Sequence, residues 1–194
     1  MGVEYELKFR AEPAQQAAIR AEIEGPEQEF QMETTYYDAL DGGLSQRYYT
    51  LRRRMENGRS VCTLKTPTEG DGRGEWELPC DRIEDAIEKL CKLGAPENLK
   101  ELTACGIKEV CGAKFHRIAK TVHLPEGVVE LALDQGVLIG GGKEVPLCEV
   151  EVELKEGSAE MTRSYAMMLS AIYGLVPEKG SKFRRALALA KERA

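Results

Sequence analysis

With 194 residues, 42% of them hydrophobic and 31% charged, the chain has the material for one domain with a sizeable core and no signature of disorder. Its net charge of −6 argues against general nucleic-acid binding, which needs a basic surplus, so any anionic ligand must be met by cations gathered locally. No apolar run approaches a membrane span, the N-terminus is a charged strand rather than a leader, and six cysteines without a C-x-x-C pair read as free thiols, so a cytoplasmic protein is expected.

Glu4-Tyr5-Glu6-Leu7-Lys8 alternates with period two, so Glu4, Glu6 and Lys8 share one face of a strand. Alone, that face belongs in water. Pro13 then opens a helix running through Ala14 to Ile23 and ending near Gly25 and Pro26. Glu33 to Asp38 is β-rich, Asp41-Gly42-Gly43 supplies a turn, and a second β-rich run from Tyr48 to Met55 puts Arg52 and Arg54 on one face. Asn57-Gly58 is a hairpin signal returning the chain through Val61 to Lys65, where Thr63 and Lys65 share a face. A loop over 67–74 delivers Arg73, Glu75 and Glu77 at one parity, with Trp76 opposite and packed between sheet and helix. Asp81 and Glu84 form a capping box for a helix through Leu93 with the apolar stripe Ile83, Ala86, Ile87, Leu90 and Cys91, and a short helix follows from Pro96 to Cys105.

The second half returns to strands. Lys114 to Ile118 leads into Thr121 to Leu124, with Arg117 opposite in parity to His116, a packed or solvent-facing histidine. Val128 to Asp134 places Glu130 and Asp134 on one face. Gly140-Gly141-Gly142 is a flexible hairpin tip lacking the rest of a phosphate loop. Glu149, Glu151 and Glu153 then alternate along one side of a strand. A helix capped by Ser158 runs to Tyr173 and stops at Gly174, its core stripe being Met161, Tyr165, Met168, Leu169 and Ile172, and Lys179 to Arg185 opens a terminal helix.

Six alternating strands in one chain change the reading of the first. Their opposite faces, with Tyr5, Leu51, Leu64, Trp76, Leu131 and Val150 among them, are expected to form one apolar layer covered by the helices. The charged faces then look inward. The expected architecture is α+β, a closed eight-stranded antiparallel β-barrel with helices packed outside. Its interior holds a basic set, Lys8, Arg52, Arg54, Lys65, Arg73, Arg117 and Lys182. It also holds an acidic set, Glu4, Glu6, Glu75, Glu77, Glu130, Asp134, Glu149, Glu151 and Glu153. Burying so many charges dry is prohibitive, so the lumen must be hydrated and take a polyvalent ligand. Arginine forks and lysine ammonium groups match phosphate oxygens, and carboxylates are hard ligands for Mg²⁺ or Mn²⁺; together they imply a metal-bound polyphosphate.

The ordered set Glu4-x-Glu6-x-Lys8, Tyr37-Asp38, Leu51-Arg52-x-Arg54, Thr63-Leu64-Lys65, Arg73-x-Glu75, Phe115-x-Arg117, Glu130 to Gly136, Glu149-x-Glu151-x-Glu153 and Ser181-Lys182-x-x-Arg185 resembles the CYTH domain of the triphosphate tunnel metalloenzymes. Its second half is most similar to bacterial inorganic triphosphatases. The resemblance implies a single tunnel domain over 1–194, a Mg²⁺ or Mn²⁺ cofactor and a triphosphate substrate. It implies that Glu4, Glu6, Glu151 and Glu153 hold the metal or position water, while Lys8, Arg52, Arg54, Lys65, Arg117 and Lys182 clamp phosphates. Ala119 stands where the family often has a second basic residue at the parity of Arg117, and Ala186 where glycine is common.

The expected reaction is hydrolysis of inorganic triphosphate to pyrophosphate and phosphate, with Glu149, Glu151 and Glu153 all placed to orient water. Related enzymes act on thiamine triphosphate or cyclise ATP, and the sequence shows no inward aromatic cluster for such organic ends. A non-catalytic polyphosphate sensor is the alternative of another class, disfavoured by the intact acidic set. No nucleic-acid or membrane partner is expected, and a homodimer is left open.

Overall fold

The computed structural model describes residues 2–70 and 72–192; Asp71, within the loop expected over 67–74, lies outside them. In chain order the elements are β1 (Gly2–Glu4), β2 (Glu6–Arg10), α1 (Pro13–Glu22), β3 (Glu27–Ala39), α2 (Gly43–Gln46), β4 (Thr50–Glu56), β5 (Arg59–Pro67) and β6 (Arg73–Pro79). They continue as α3 (Ile83–Lys92), α4 (Asn98–Thr103), β7 (Ile107–Leu124), β8 (Gly127–Gly140), β9 (Lys143–Glu156), α5 (Ala159–Tyr173), β10 (Val176–Pro177) and α6 (Lys182–Lys191).

The strands form one antiparallel sheet of ten segments in the order β1-β6-β5-β4-β3-β7-β8-β9-β2-β10. This corrects the expected closed ring of eight, since no ladder joins the two margins among the described residues. The reason lies at Tyr5, which interrupts the N-terminal segment. Glu4 in β1 pairs with Arg73 of β6, whereas Glu6 in β2 pairs with Glu153 of β9, so the chain itself, not a ladder, connects the margins. The Tyr5 carbonyl accepts a hydrogen bond from the Leu154 N–H at 2.9 Å.

The Asn57-Gly58 hairpin is as expected, with φ of 47° and 81° fitting the primed turn that matches strand twist. Two expected strands over 114–124 are one continuous β7, because no glycine or proline interrupts them and both β3 and β8 pair along this stretch. The Asp41-Gly42-Gly43 turn leads into the single helical turn α2, where Asp38 Oδ1 accepts from the N–H groups of Leu44 and Ser45. The capping box is also corrected. Arg82 is the N-cap of α3, which begins too late for Asp81 to cap it or for Glu84 to stand at the third helical position. Ser158 caps α5 by accepting from the Met161 N–H, and Gly174 ends it at φ 67°.

The apolar layer divides into three clusters. Phe9, Leu131, Leu133, Val150 and Val152 pack under α1 and α5 through Ile19, Tyr165 and Leu169. Leu51, Leu64 and Trp76 pack under α3 and α4 through Ile83, Leu90 and Leu99, which is the role expected of Trp76. The buried stripe of α5 is Thr162, Tyr165, Ala166 and Leu169, whereas Met168 and Ile172 are 46% and 62% exposed. The small side chains at 162 and 166 turn α5 away from the expected methionine face.

The third cluster joins Met32, Ala113, Phe115, Leu138 and Leu147 to Ala186 of α6. Ala113 and Phe115 share the parity of Arg117, Leu138 that of Asp134, and Leu147 that of Glu149 and Glu151. One sheet face is therefore charged at one end and apolar at the other. Helix α6 covers the apolar end, so not every helix packs on the outside. Gly140 permits this approach, because a Cβ there would lie 2.2 Å from the Ala186 carbonyl oxygen.

Candidate active site

The charged face encloses a cavity of about 290 Å³ lined from β1 through β9 and from α6. Strand parity puts the side chains there. Arg52 and Arg54 stand opposite Tyr36 and Thr34, Lys65 opposite Glu75, and Lys8 opposite Glu151. Of the residues expected inside, Glu4, Glu6, Lys8, Arg52, Arg54, Lys65, Arg73, Glu75, Glu77, Arg117, Glu130, Glu151, Glu153 and Lys182 line it. Asp134 and Glu149 do not; both are fully buried beside it.

Those two acids belong to a cage. The Lys182 ammonium lies 2.8 Å from Asp134, 2.6 Å from Glu149 and 2.7 Å from Glu151. Arg117 forks onto Asp134 with two bonds of 2.7 Å and reaches Glu151 at 2.5 Å, and Arg185 pairs with Glu149 from the other side. The oxygens of Asp134, Glu149 and Glu151 lie close enough to hold a metal ion, but Lys182, Arg117 and Arg185 together already offset their charge. Burial opposes the charge on Lys182, yet the three carboxylates outweigh it and raise its pKa. Burial likewise opposes the charge on Glu151, but Lys182, Arg117 and Lys8 hold its carboxyl well below the usual range. Burial pushes the Glu149 carboxyl up despite Lys182.

The opposite wall is less well satisfied. Glu4 pairs with Lys65 through one oxygen, while its other oxygen is buried without a partner among the described residues. Burial raises the Glu153 carboxyl, with Glu4 and Glu130 adding to the rise and Lys155, 2.8 Å away, opposing it. An under-neutralised acidic corner with an orphaned oxygen fits a divalent cation. The Nε donors of Arg52 and Arg54 are also buried without partners, and burial together with neighbouring Arg52 lowers the pKa of Arg54. These donors need an acceptor from outside the protein.

Several lining residues escaped the sequence reading. Glu56 continues the parity of Arg54 and Lys155 that of Glu153, so extending either strand would have found them. Phe30, Met32, Thr34 and Tyr36 line the cavity from β3, and Phe115 and Phe183 join them, which corrects the expectation of no inward aromatic cluster. Phe115 shares the parity of Arg117 along β7, so alternation alone could have found it. The ring of Phe115 already carries Lys182 at 5.3 Å and Arg117 at 5.8 Å, and Tyr36 packs on Phe183 at 5.2 Å. These rings back the cations. His116 lies outside, half-buried and 3.1 Å from Glu29. Lys120, opposite in parity to Arg117, donates to the Arg20 and Ile23 carbonyls at the end of α1.

Comparison with known proteins agrees with this architecture. A protein from Pyrococcus horikoshii superposes with a TM-score of 0.66 at 21% identity, covering 95% of this chain and 98% of that one. A Hippeastrum protein, described as a candidate adenylyl cyclase that reveals a dominant triphosphatase activity, superposes at 0.63 with 19% identity, covering 100% and 96%. The inorganic triphosphatase of Haemophilus influenzae is 31% identical over 130 residues, 65% of this chain but 36% of that protein, so this chain spans little more than a third of its relative's length. The CYTH domain family model matches residues 2–187, from β1 to the second turn of α6, and on that match the chain belongs to the CYTH domain family.

Proposed function

We propose that the chain is a divalent-metal-dependent hydrolase of inorganic triphosphate, releasing pyrophosphate and phosphate. Residues 1–194 would form one tunnel domain whose wall is eight strands when β1 and β2 count as one and the two-residue β10 is set aside. The observation carrying this reading is the trio of buried, unpartnered atoms in one cavity: Glu4 Oε2, Arg52 Nε and Arg54 Nε. One needs a cation and two need an anion, which is the demand a metal-bound phosphate chain meets. Charge balance supports the pairing. Among the described residues eight cationic and eight anionic side chains line the cavity, so a polyvalent anion entering alone would meet no net opposite charge.

In this reading Glu4, Glu6, Glu151 and Glu153 would hold Mg²⁺ or Mn²⁺. When bound, the ion supplies charge stabilisation at the phosphoryl oxygens and acidifies a coordinated water. Arg52 and Arg54 donate to phosphate oxygens, their Nε groups having no partner among the described residues. Lys8 and Lys65 extend the clamp, and their partners Glu6 and Glu4 keep them aimed. Lys182 and Arg117 present positive charge from fixed positions, held there by Asp134, Glu149 and Glu151. Glu149, fully buried and outside the cavity lining, is then a positioning group for Lys182, which leaves Glu151 and Glu153, both of which line the cavity, as the carboxylates able to orient water for in-line attack. No protein nucleophile is required.

Phosphate release from triphosphate with Mg²⁺ or Mn²⁺ tests the reading. Glu4→Gln should lower turnover by about a hundredfold, the scale of losing one preorganised electrostatic contact. Release from the native protein no greater than from this variant overturns the proposal. Tight metal-independent binding without turnover would instead mark a polyphosphate sensor. The engaged aromatic rings favour a bare phosphate chain over thiamine triphosphate or ATP, and faster conversion of ATP to cyclic AMP would reverse that order.

A further inference from the structure

Beside the inner cavity lies a second one of about 690 Å³, and the two share Glu6, Lys8, Thr50, Arg73, Ser181 and Phe183 along their boundary. The outer chamber differs in charge. Among the described residues its wall carries five cations, Lys8, Arg73, Lys179, Arg184 and Lys191, against one carboxylate, Glu6, which is bound to Lys8. Lys179, Arg184 and Lys191 are exposed and make no ion pair among the described residues. Arg73, at the junction, is anchored by the Tyr48 carbonyl at 2.9 Å, the Lys65 carbonyl at 3.2 Å and Thr50 Oγ1 at 3.3 Å, and among the described residues no carboxylate bonds to it. Tyr48 holds its part of this contact in a left-handed conformation, φ 59°, that a tyrosine seldom adopts, while its side chain stays 68% exposed.

The contrast with the inner chamber gives the outer one a task. A protein of net charge −6 repels a polyvalent anion at long range, and the balanced inner wall does not draw one in. We propose that the outer chamber is a capture station for inorganic phosphate chains, in which Lys179, Arg184 and Lys191 engage the anion before Arg73 and Lys8 pass it inward. Unpaired cations in a concave wall concentrate an anion locally and raise its association rate by about ten- to a thousandfold, an effect that salt erases. These three residues stand outside the inner cavity and contribute to capture rather than to the hydrolytic step.

This inference rests on the triphosphatase reading and is tested with the combined variant Lys179→Gln, Arg184→Gln, Lys191→Gln. Its kcat should stay within about twofold of the native value. Its kcat/KM for triphosphate should fall about tenfold at low ionic strength and converge on the native value at high salt. Unchanged kcat/KM at low salt, an unflattened salt dependence, or a matching loss of kcat overturns the proposal. Should the native protein bind triphosphate without hydrolysing it, the triphosphatase reading fails alone. The association rate of triphosphate, measured by stopped flow on both proteins across the same salt series, then decides the capture role by the same loss and convergence.

Discussion

Lys182 shows how far a single residue can be read from sequence. Its proximity to phosphate-binding cations was legible as part of a terminal motif, but its three carboxylate neighbours come from β8 and β9, far away in the chain. The cage has a pH signature. The raised pKa of Lys182 gives stability that is full below its unfolded value, about 10.4, and lost as pH rises through the folded value. The depressed pKa of Glu151 gives stability that is present above about 4.3 and lost as pH falls through the folded value. In Lys182→Met the buried carboxylates lose this shared ammonium, at a cost of about 3–5 kcal/mol. They should then bind protons more readily in the folded state, so the metal-free variant should gain stability as pH falls from 7 to 5. Thermal melts in chelator check this; parallel pH profiles for the two proteins would show that the cage is not ionic.

At the level of elements, the hairpins, α1, the α5 caps and the strand faces followed from local signals, because turn residues and alternation act over a few positions. The placement of α6 did not. Gly140 looked like part of a flexible tip, yet it is where the backbone of α6 crosses β8 at a distance that excludes a Cβ. Gly140→Ala should push α6 outward and loosen Lys182 within its cage. The expected result is a thermal destabilisation of about 1–3 kcal/mol, the range for overpacking, with activity falling further than in Gly58→Ala, which strains a left-handed turn but meets no neighbour within 4 Å. Equal activity in the two variants would detach α6 placement from the site. The α5 stripe failed for a related reason: helical periodicity allows several faces, and close contact with the sheet selected the one with Thr162 and Ala166.

For the molecule as a whole, the balanced inner wall predicts that metal and triphosphate bind cooperatively. Each alone should raise the melting temperature little. Together, at about a hundredfold excess over Kd, they should raise it by about 5–10 °C, and Glu4→Gln should remove most of that gain. A full shift with triphosphate in chelator would contradict the metal role. The sequence by itself determined which side chains share a strand face, and so the mixed charged surface, its demand for a polyvalent ligand and the order of motifs along the chain. Those properties are local, since side-chain parity needs only neighbouring residues. Tertiary structure alone decided which carboxylates are spent on Lys182, which atoms of Glu4, Arg52 and Arg54 remain unsatisfied, and how Tyr5 links the two margins of the sheet. Each of these depends on the meeting of segments far apart in sequence, where burial and charge pairing between strands and α6 set the outcome.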